Sequence, residues 1–224
     1  QTPYFYAPSI NKDITIKPTL FDKNILMFQN EYRQKNKNSF FMADFNITDG
    51  YKSKISNEEN TLTHLFSKYE MKFNFEDFIE SSLDISLQKV NNDTYLKVFD
   101  NNLVNTDLKP DNFDTLTSDI DLNLENEKFS FNTGFTVYEN LSKPNSDRYQ
   151  YVLPYYDFSR RFFNNNFASF DFKSQGDNIL KDTNSLRSRM INNLDIKGND
   201  YFTKSGIKNN FNYYLKNTIT AGKN

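Results

Sequence analysis

From Asp13 to Thr48, apolar and polar residues take turns along the chain, and this period of two constrains the fold more than any other feature. Ile14, Ile16, Pro18 and Leu20 interleave with Asp13, Thr15, Lys17 and Thr19. Phe41, Ala43, Phe45 and Ile47 interleave with Met42, Asp44, Asn46 and Thr48. Successive side chains of an extended strand point to opposite faces, so each run makes one apolar face and one wet face. Polar connections, Phe21-Asp-Lys-Asn-Ile25 and Lys35-Asn-Lys-Asn-Ser39, separate the runs, with Asn24 to Gln34 as the strand between them. The spacing predicts three long antiparallel strands in a meander.

The rhythm continues beyond Thr48. Tyr69, Met71, Phe73 and Phe75 alternate with Lys68, Glu70, Lys72 and Asn74, and four large residues on one side suit a strip facing lipid. Ile79 to Val90 follows, then Ile120, Leu122 and Leu124, then Phe129, Phe131, Phe135 and Val137. Arg148 to Phe162 is aromatic on both faces. Ala168, Phe170 and Phe172 alternate with Ser169, Asp171 and Lys173, and weaker alternation runs through Ser185 to Lys197 and Tyr201 to Thr220. About ten or eleven strands are expected, and no window has helical period. Asp49 to Asn60 reads as a charged loop. Asn91 to Leu116, rich in Asn and Asp and containing Pro110, reads as a long solvated loop. A divalent-cation site there is the functional alternative, but no ordered ligand spacing supports it.

Composition decides what the apolar faces touch. The mean hydropathy of −0.78 is low enough for a disordered chain, yet the chain carries 23 Phe and 14 Tyr, which disordered chains lack. A sequence that is polar on average and aromatic at alternate positions fits a sheet wet on one face and embedded in lipid on the other. No run approaches the roughly 18 apolar residues of a helical span, whereas a barrel strand needs only about 9–11 residues with every second one apolar. The expectation is an all-β fold: an antiparallel meander forming part of a large transmembrane β-barrel, with residues 1–224 as one partial barrel domain. Its lipid-facing residues are then Ile14, Ile16, Leu20, Tyr69, Met71, Phe73 and Phe75. Gln1-Thr-Pro-Tyr and Ala221-Gly-Lys-Asn224 read as the ends of an internal piece.

Little in the chain suggests chemistry. With no cysteine there is no disulfide or thiolate site, and 27 basic against 29 acidic residues, well mixed, leave no basic patch for nucleic acid. The single histidine, His64, lacks partners adjacent in sequence and reads as an ordinary barrel or loop residue rather than a ligand or base. Neither a phosphate-binding glycine loop nor a nucleophile elbow occurs. Asp119 and Asp121 fall on a wet strand face, and Arg160, Arg161, Arg187 and Arg189 read as charges balanced by nearby Asp and Glu. The expectation is a protein that is not an enzyme and needs no cofactor.

Three patches resemble the LptD family of outer-membrane lipopolysaccharide-assembly proteins. The first is Pro3-Tyr4-Phe5 with Asp13-Ile-Thr-Ile-Lys-Pro18 and Asn30-Glu-Tyr-Arg33; the second is Lys89-Val-Asn-Asn-Asp93-Thr-Tyr95-Leu96 with Phe99-Asp100; the third, and weakest, is Arg148-Tyr-Gln-Tyr-Val-Leu153-Pro154. They cover most of the first 155 residues, and beyond them only the strand rhythm is similar. The resemblance implies the N-terminal part of a very large barrel in the outer membrane of a Gram-negative bacterium, exporting lipopolysaccharide sideways through a seam. Pro3 and Pro18 match family prolines that weaken the seam, since proline cannot donate to a ladder and is confined to edges, strand starts and bulges. The implied partners are lipopolysaccharide, outer-membrane lipid, an LptE-like plug lipoprotein, and periplasmic lipopolysaccharide-bridge proteins reached through an N-terminal domain. Another outer-membrane barrel, such as a porin or transporter, and a soluble β-sandwich binding module are the rival readings.

Overall fold

The structure, a computed structural model, describes residues 2–22, 24–52, 59–103, 107–164, 167–182 and 184–223. Strands dominate it: β1 (Tyr4–Ser9), β2 (Lys12–Asp22), β3 (Ile25–Lys35), β4 (Ser39–Lys52), β5 (Glu59–Lys72), β6 (Glu80–Val90), β7 (Thr115–Glu125), β8 (Phe129–Asn140), β9 (Tyr149–Asn164), β10 (Ala168–Lys181), β11 (Ser185–Gly198), β12 (Tyr201–Phe202), β13 (Lys208–Asn209) and β14 (Asn212–Lys223). Twelve form one sheet in the order β1 to β11 and then β14, and β12 with β13 forms a small separate hairpin. The fold is an antiparallel all-β meander, with twelve strands in the main sheet rather than ten or eleven. The strand order is open from β1 to β14, and no closed barrel is formed among the described residues. Apart from β1, the strands of this sheet run 11 to 16 residues.

Two boundaries differ from the expectation. The charged stretch taken as a loop from Asp49 to Asn60 is strand at both ends, β4 reaching Lys52 and β5 starting at Glu59; residues 53–58 lie outside the described residues. The strip ending in Phe73 and Phe75 is shorter than its alternation, because β5 stops at Lys72 and both phenylalanines sit in the connection to β6. There Phe73 N–H donates to the Ser81 carbonyl, and the Phe73 and Phe75 rings stack 5.3 Å apart, an arrangement that satisfies the chain without a further strand.

The chain forms two compact units, one of residues 1–72, 83–120 and 137–149, the other of residues 73–82, 121–136 and 150–224. In the first, the register sorts side chains by chemistry. Ile16 pairs with Asn30, Pro18 with Phe28, Leu20 with Leu26, Phe28 with Ile47, Phe45 with Leu65, and Phe41 with Tyr69, all on one face. Lys17 pairs with Gln29, Thr15 with Glu31, Gln29 with Asn46, Glu31 with Asp44, and Asn46 with His64, all on the other. In the second unit, Phe172 pairs with Leu194 and Leu194 with Leu215, while Lys173 pairs with Asn193 and Asn193 with Lys216 on the opposite face.

Burial inverts the usual assignment. Phe28, Phe45, Ile47 and Leu65, on the apolar face, are all exposed by more than a third, whereas Gln29, Asp44, Asn46, Thr48 and His64 on the polar face are at most 1% exposed. What covers the polar face is the segment expected to be a solvated loop. Tyr95–Phe99 is a one-turn helix, α1, and Tyr95, Leu96, Phe99, Leu103, Leu108 and Leu116 join Met27, Leu62, Phe66, Val90 and Leu141 in a single buried cluster. The turn into α1 is set by Asn92, whose side-chain oxygen accepts from Thr94 N–H at 2.9 Å and Thr94 Oγ1 at 2.7 Å, a local bond that Asn offers more readily than other residues. Residues 104–106 lie outside the described residues.

Candidate functional site

The chemistry of the first unit concentrates where α1 meets β3, β4 and β5. Alternation on β4 aims Asp44, Asn46 and Thr48 at the same face, and the register brings His64 of β5 opposite Asn46. Into this polar patch α1 lowers the Tyr95 hydroxyl. Asn46 Nδ2 donates to it and also to Thr48 Oγ1 at 2.9 Å, and His64 Nδ1 lies 2.7 Å from it. The imidazole stacks flat on Phe66, 4.3 Å between centroids, and takes the edge of the Tyr95 ring at 5.3 Å. Gln29 Nε2 reaches Asp44 Oδ2 at 3.5 Å, and Asp44 Oδ1 stands 3.2 Å from His64 Nε2 without forming a hydrogen bond. Burial pushes the Tyr95 phenol well above its ordinary range, with the Asp44 charge acting in the same direction and the bond from Asn46 opposing it. Tyr95 therefore stays a neutral hydroxyl, a peg rather than an acid.

A second polar cluster clamps the entrance and exit of the covering segment. Glu139 on β8, its side chain 6% exposed, accepts from Lys89 Nζ at 2.8 Å, from Arg148 Nε at 2.7 Å and from Tyr149 at 3.2 Å; Arg148 also holds Asp93 at 2.7 Å. Asp93 lies two residues before Tyr95, so this network pins the start of α1. At the far end Lys97 pairs with Asp114, whose carboxyl also accepts from Ser142 Oγ at 2.7 Å. That Lys97 contact, with Ser142 second, holds the Asp114 carboxyl below the usual carboxylate range. These are structural pairings: each buried charge meets opposite charge and hydrogen bonds.

The residues singled out from sequence fall as follows. Ile14, Ile16, Leu20, Tyr69 and Met71 share the apolar face of the first unit by register, and Phe73 and Phe75 lie beyond the strand. Pro3 directly precedes β1. Pro18 lies in β2 past Ile16, the last β2 residue paired with β1, so it occupies a stretch with no β1 partner beside it. The arginines divide: Arg161 pairs with Asp171 at 2.8 Å and Arg189 with Asp177 at 3.0 Å, whereas Arg160 lies over the Phe162 ring at 5.0 Å. Arg161 and Asp171, with Lys173, Asp195, Lys197 and Tyr214, line an open groove of about 640 Å³ in the second unit, where Arg161 pairs with Asp171 and Lys197 with Asp195. Asp119 accepts from Ser86 Oγ, a plain cross-strand bond.

Sequence reasoning assigned His64 no partners and missed Tyr95, Asp44 and Asn46 as a group. One signal was available: Tyr95, Leu96, Phe99 and Leu103 recur at helical spacing inside a stretch otherwise read as solvated. Among the described residues no three His, Asp or Glu side chains are gathered so as to hold a metal ion, and no helix is long and apolar enough to cross a membrane. No family model and no curated protein matches the chain.

Proposed function

We propose that this chain is a membrane-embedded segment of an outer-membrane β-barrel that works in lipopolysaccharide translocation to the cell surface. The observation that carries the membrane part is the inversion of burial: large apolar side chains lie exposed on one face of β3, β4 and β5, while Asp, Asn, Gln and His are covered on the other. In water such an exposed apolar stripe is a liability, because contiguous patches beyond a few hundred Å² mark interaction sites. Acyl chains solvate it without cost, and strands of 11 residues or more are long enough for the hydrocarbon core. A sandwich would use the same residues to meet a second sheet. Here the exposed stripe argues for lipid instead.

The lipopolysaccharide part rests on the family resemblance and on the prolines. Pro3 and Pro18 stand at the start of β1 and beside its short end, where a ladder is weakest. In this reading the first strands form one lip of a seam through which acyl chains leave, the polar face accommodates the sugar part, and an LptE-like lipoprotein and periplasmic bridge proteins are the partners. A photo-crosslinking residue at Phe5 or Ile16 of the parent protein in growing cells is the test. Lipopolysaccharide adducts at these positions that are lost when export is blocked are expected, whereas adducts at Phe45 or Leu65 report bulk membrane lipid and do not depend on export. Adducts to phospholipid alone would leave a barrel with another cargo and refute the export role.

A further inference from the structure

The cluster under Tyr95 holds a pattern that its own hydrogen bonds do not exhaust. Asp44, Asn46 and His64 each have one polar end tied to protein: Asp44 Oδ2 to Gln29, Asn46 Nδ2 to Tyr95 and Thr48, and His64 Nδ1 to Tyr95. The opposite end of each, Asp44 Oδ1, Asn46 Oδ1 and His64 Nε2, has no hydrogen-bond partner, although none of the three residues is more than 1% exposed. Buried polar atoms left this way carry the full cost of lost water, so three on one face of adjacent strands point to a shared ligand.

We propose that Asp44 Oδ1, His64 Nε2 and Asn46 Oδ1 bind one divalent transition-metal cation of the zinc type. Geometry separates this from a buried water. Asp44 Oδ1 and His64 Nε2 are 3.2 Å apart, with the oxygen off the line of a ring N–H. Two donor atoms this far apart, each about 2.05 Å from one ion, subtend about 100° at it, close to tetrahedral. A water about 2.8 Å from both would be pinched to about 70°. The far ends match as well. A metal-bound imidazole generally has its other nitrogen hydrogen-bonded, which fixes tautomer and ring orientation, and here that nitrogen meets Tyr95. Glu31, directly across the β3–β4 ladder from Asp44, shares its charge with Arg33 at 3.3 Å and stays outside the ligand set. The third donor is an amide oxygen and a water completes the shell, so this site binds less tightly than four-ligand structural zinc sites.

The chain contains one histidine and no cysteine, so any imidazole signal reports on this place alone. The 224-residue chain, refolded in detergent, is titrated with ZnCl₂ by calorimetry and with Co²⁺ by visible absorption, while the histidine ring protons are followed by NMR. One equivalent of Zn²⁺, tetrahedral Co²⁺ bands and a shifted His64 ring are expected. His64→Gln and Asp44→Asn lower affinity at least ~10-fold, and Tyr95→Phe by about 10-fold. Because these variants can also disturb folding, Asn46→Asp is the decisive partner. It replaces the amide oxygen with a carboxylate and is expected to tighten binding. Failure of the chain to take up metal saturably, equal uptake by His64→Gln, no gain with Asn46→Asp, or hydrated octahedral Co²⁺ with an unmoved histidine (an adventitious ion only) would each overturn the site. No bilayer enters the readout, so that failure leaves the membrane reading untouched.

Discussion

Tyr95→Phe isolates the peg that fastens α1 to the polar face. The ring and its packing on His64 and Phe99 remain, and only the hydroxyl oxygen is removed. Asn46 keeps its second acceptor, Thr48, at 2.9 Å, but His64 Nδ1, in a residue 1% exposed, loses the partner it has at 2.7 Å. An orphaned buried group costs about 1–3 kcal/mol, and the desolvation of the hydroxyl that is no longer required offsets part of it. A net loss of about 1–2 kcal/mol corresponds to a 5- to 30-fold change in an opening equilibrium. Hydrogen exchange reads this locally, at Val98 N–H, bonded to the Thr94 carbonyl, and Leu103 N–H, bonded to the Phe99 carbonyl. With a chelator present to silence any metal, both amides are expected to exchange roughly 5- to 30-fold faster, while amides of β10 and β11 in the other unit keep their rates. Exchange at Val98 and Leu103 unchanged within twofold would show that the hydroxyl does not anchor the segment and would refute the peg.

Three further outcomes follow from the same contacts. Gly50 has φ +77° and an added Cβ would sit 1.8 Å from the Asn24 carbonyl oxygen, so Gly50→Ala is expected to cost about 1–3 kcal/mol or more and to lower the melting temperature clearly. Arg148→Met takes one charged partner from Glu139, which keeps Lys89 and Tyr149, and frees the half-exposed Asp93; a loss of about 1–2 kcal/mol in chemical denaturation is expected, the worth of a charge-assisted hydrogen bond rather than of a wholly broken buried pair. The Asp114 carboxyl is held below its unfolded value of about 3.9, so the Lys97 clip is fully present above that value and lost as pH falls through the depressed folded one. Acid should therefore speed exchange around α1 in the wild-type chain, and Asp114→Asn should show the faster rate already at neutral pH, with no further acid step from this clip.

The strand pattern was legible because alternation is a local property. Asp13 to Leu20 and Phe41 to Thr48 declare their two faces residue by residue, and the register then places Ile16, Phe28, Phe45 and Leu65 together. Alternation does not say where a strand stops. Phe73 and Phe75 continue the pattern past Lys72, but the hydrogen bond from Phe73 to Ser81 belongs to the connection. The candidate site was hidden for a different reason. Its parts lie at Asp44, His64 and Tyr95, and only the β4–β5 pairing and the fold-back of α1 bring them together. Asn-rich flanks made Asn91 to Leu116 look solvated, while six residues of it, Tyr95, Leu96, Phe99, Leu103, Leu108 and Leu116, were bound for a core. A sheet whose polar face is its covered face gives no warning in hydropathy, because the covering segment is short and polar on average.

Which face of the sheet meets hydrocarbon separates a membrane-embedded strand array from a sandwich half. A fluorescent label on single cysteines at Phe45 and Leu65, and separately at Lys17 and Arg33, in the chain folded into bilayers with brominated acyl chains, tests this most directly. Strong quenching at 45 and 65 with little at 17 and 33, and the reverse order for a water-soluble quencher, is the expected result. Equal quenching at all four positions, or water-soluble quencher reaching 45 and 65 as readily as 17 and 33, would contradict it.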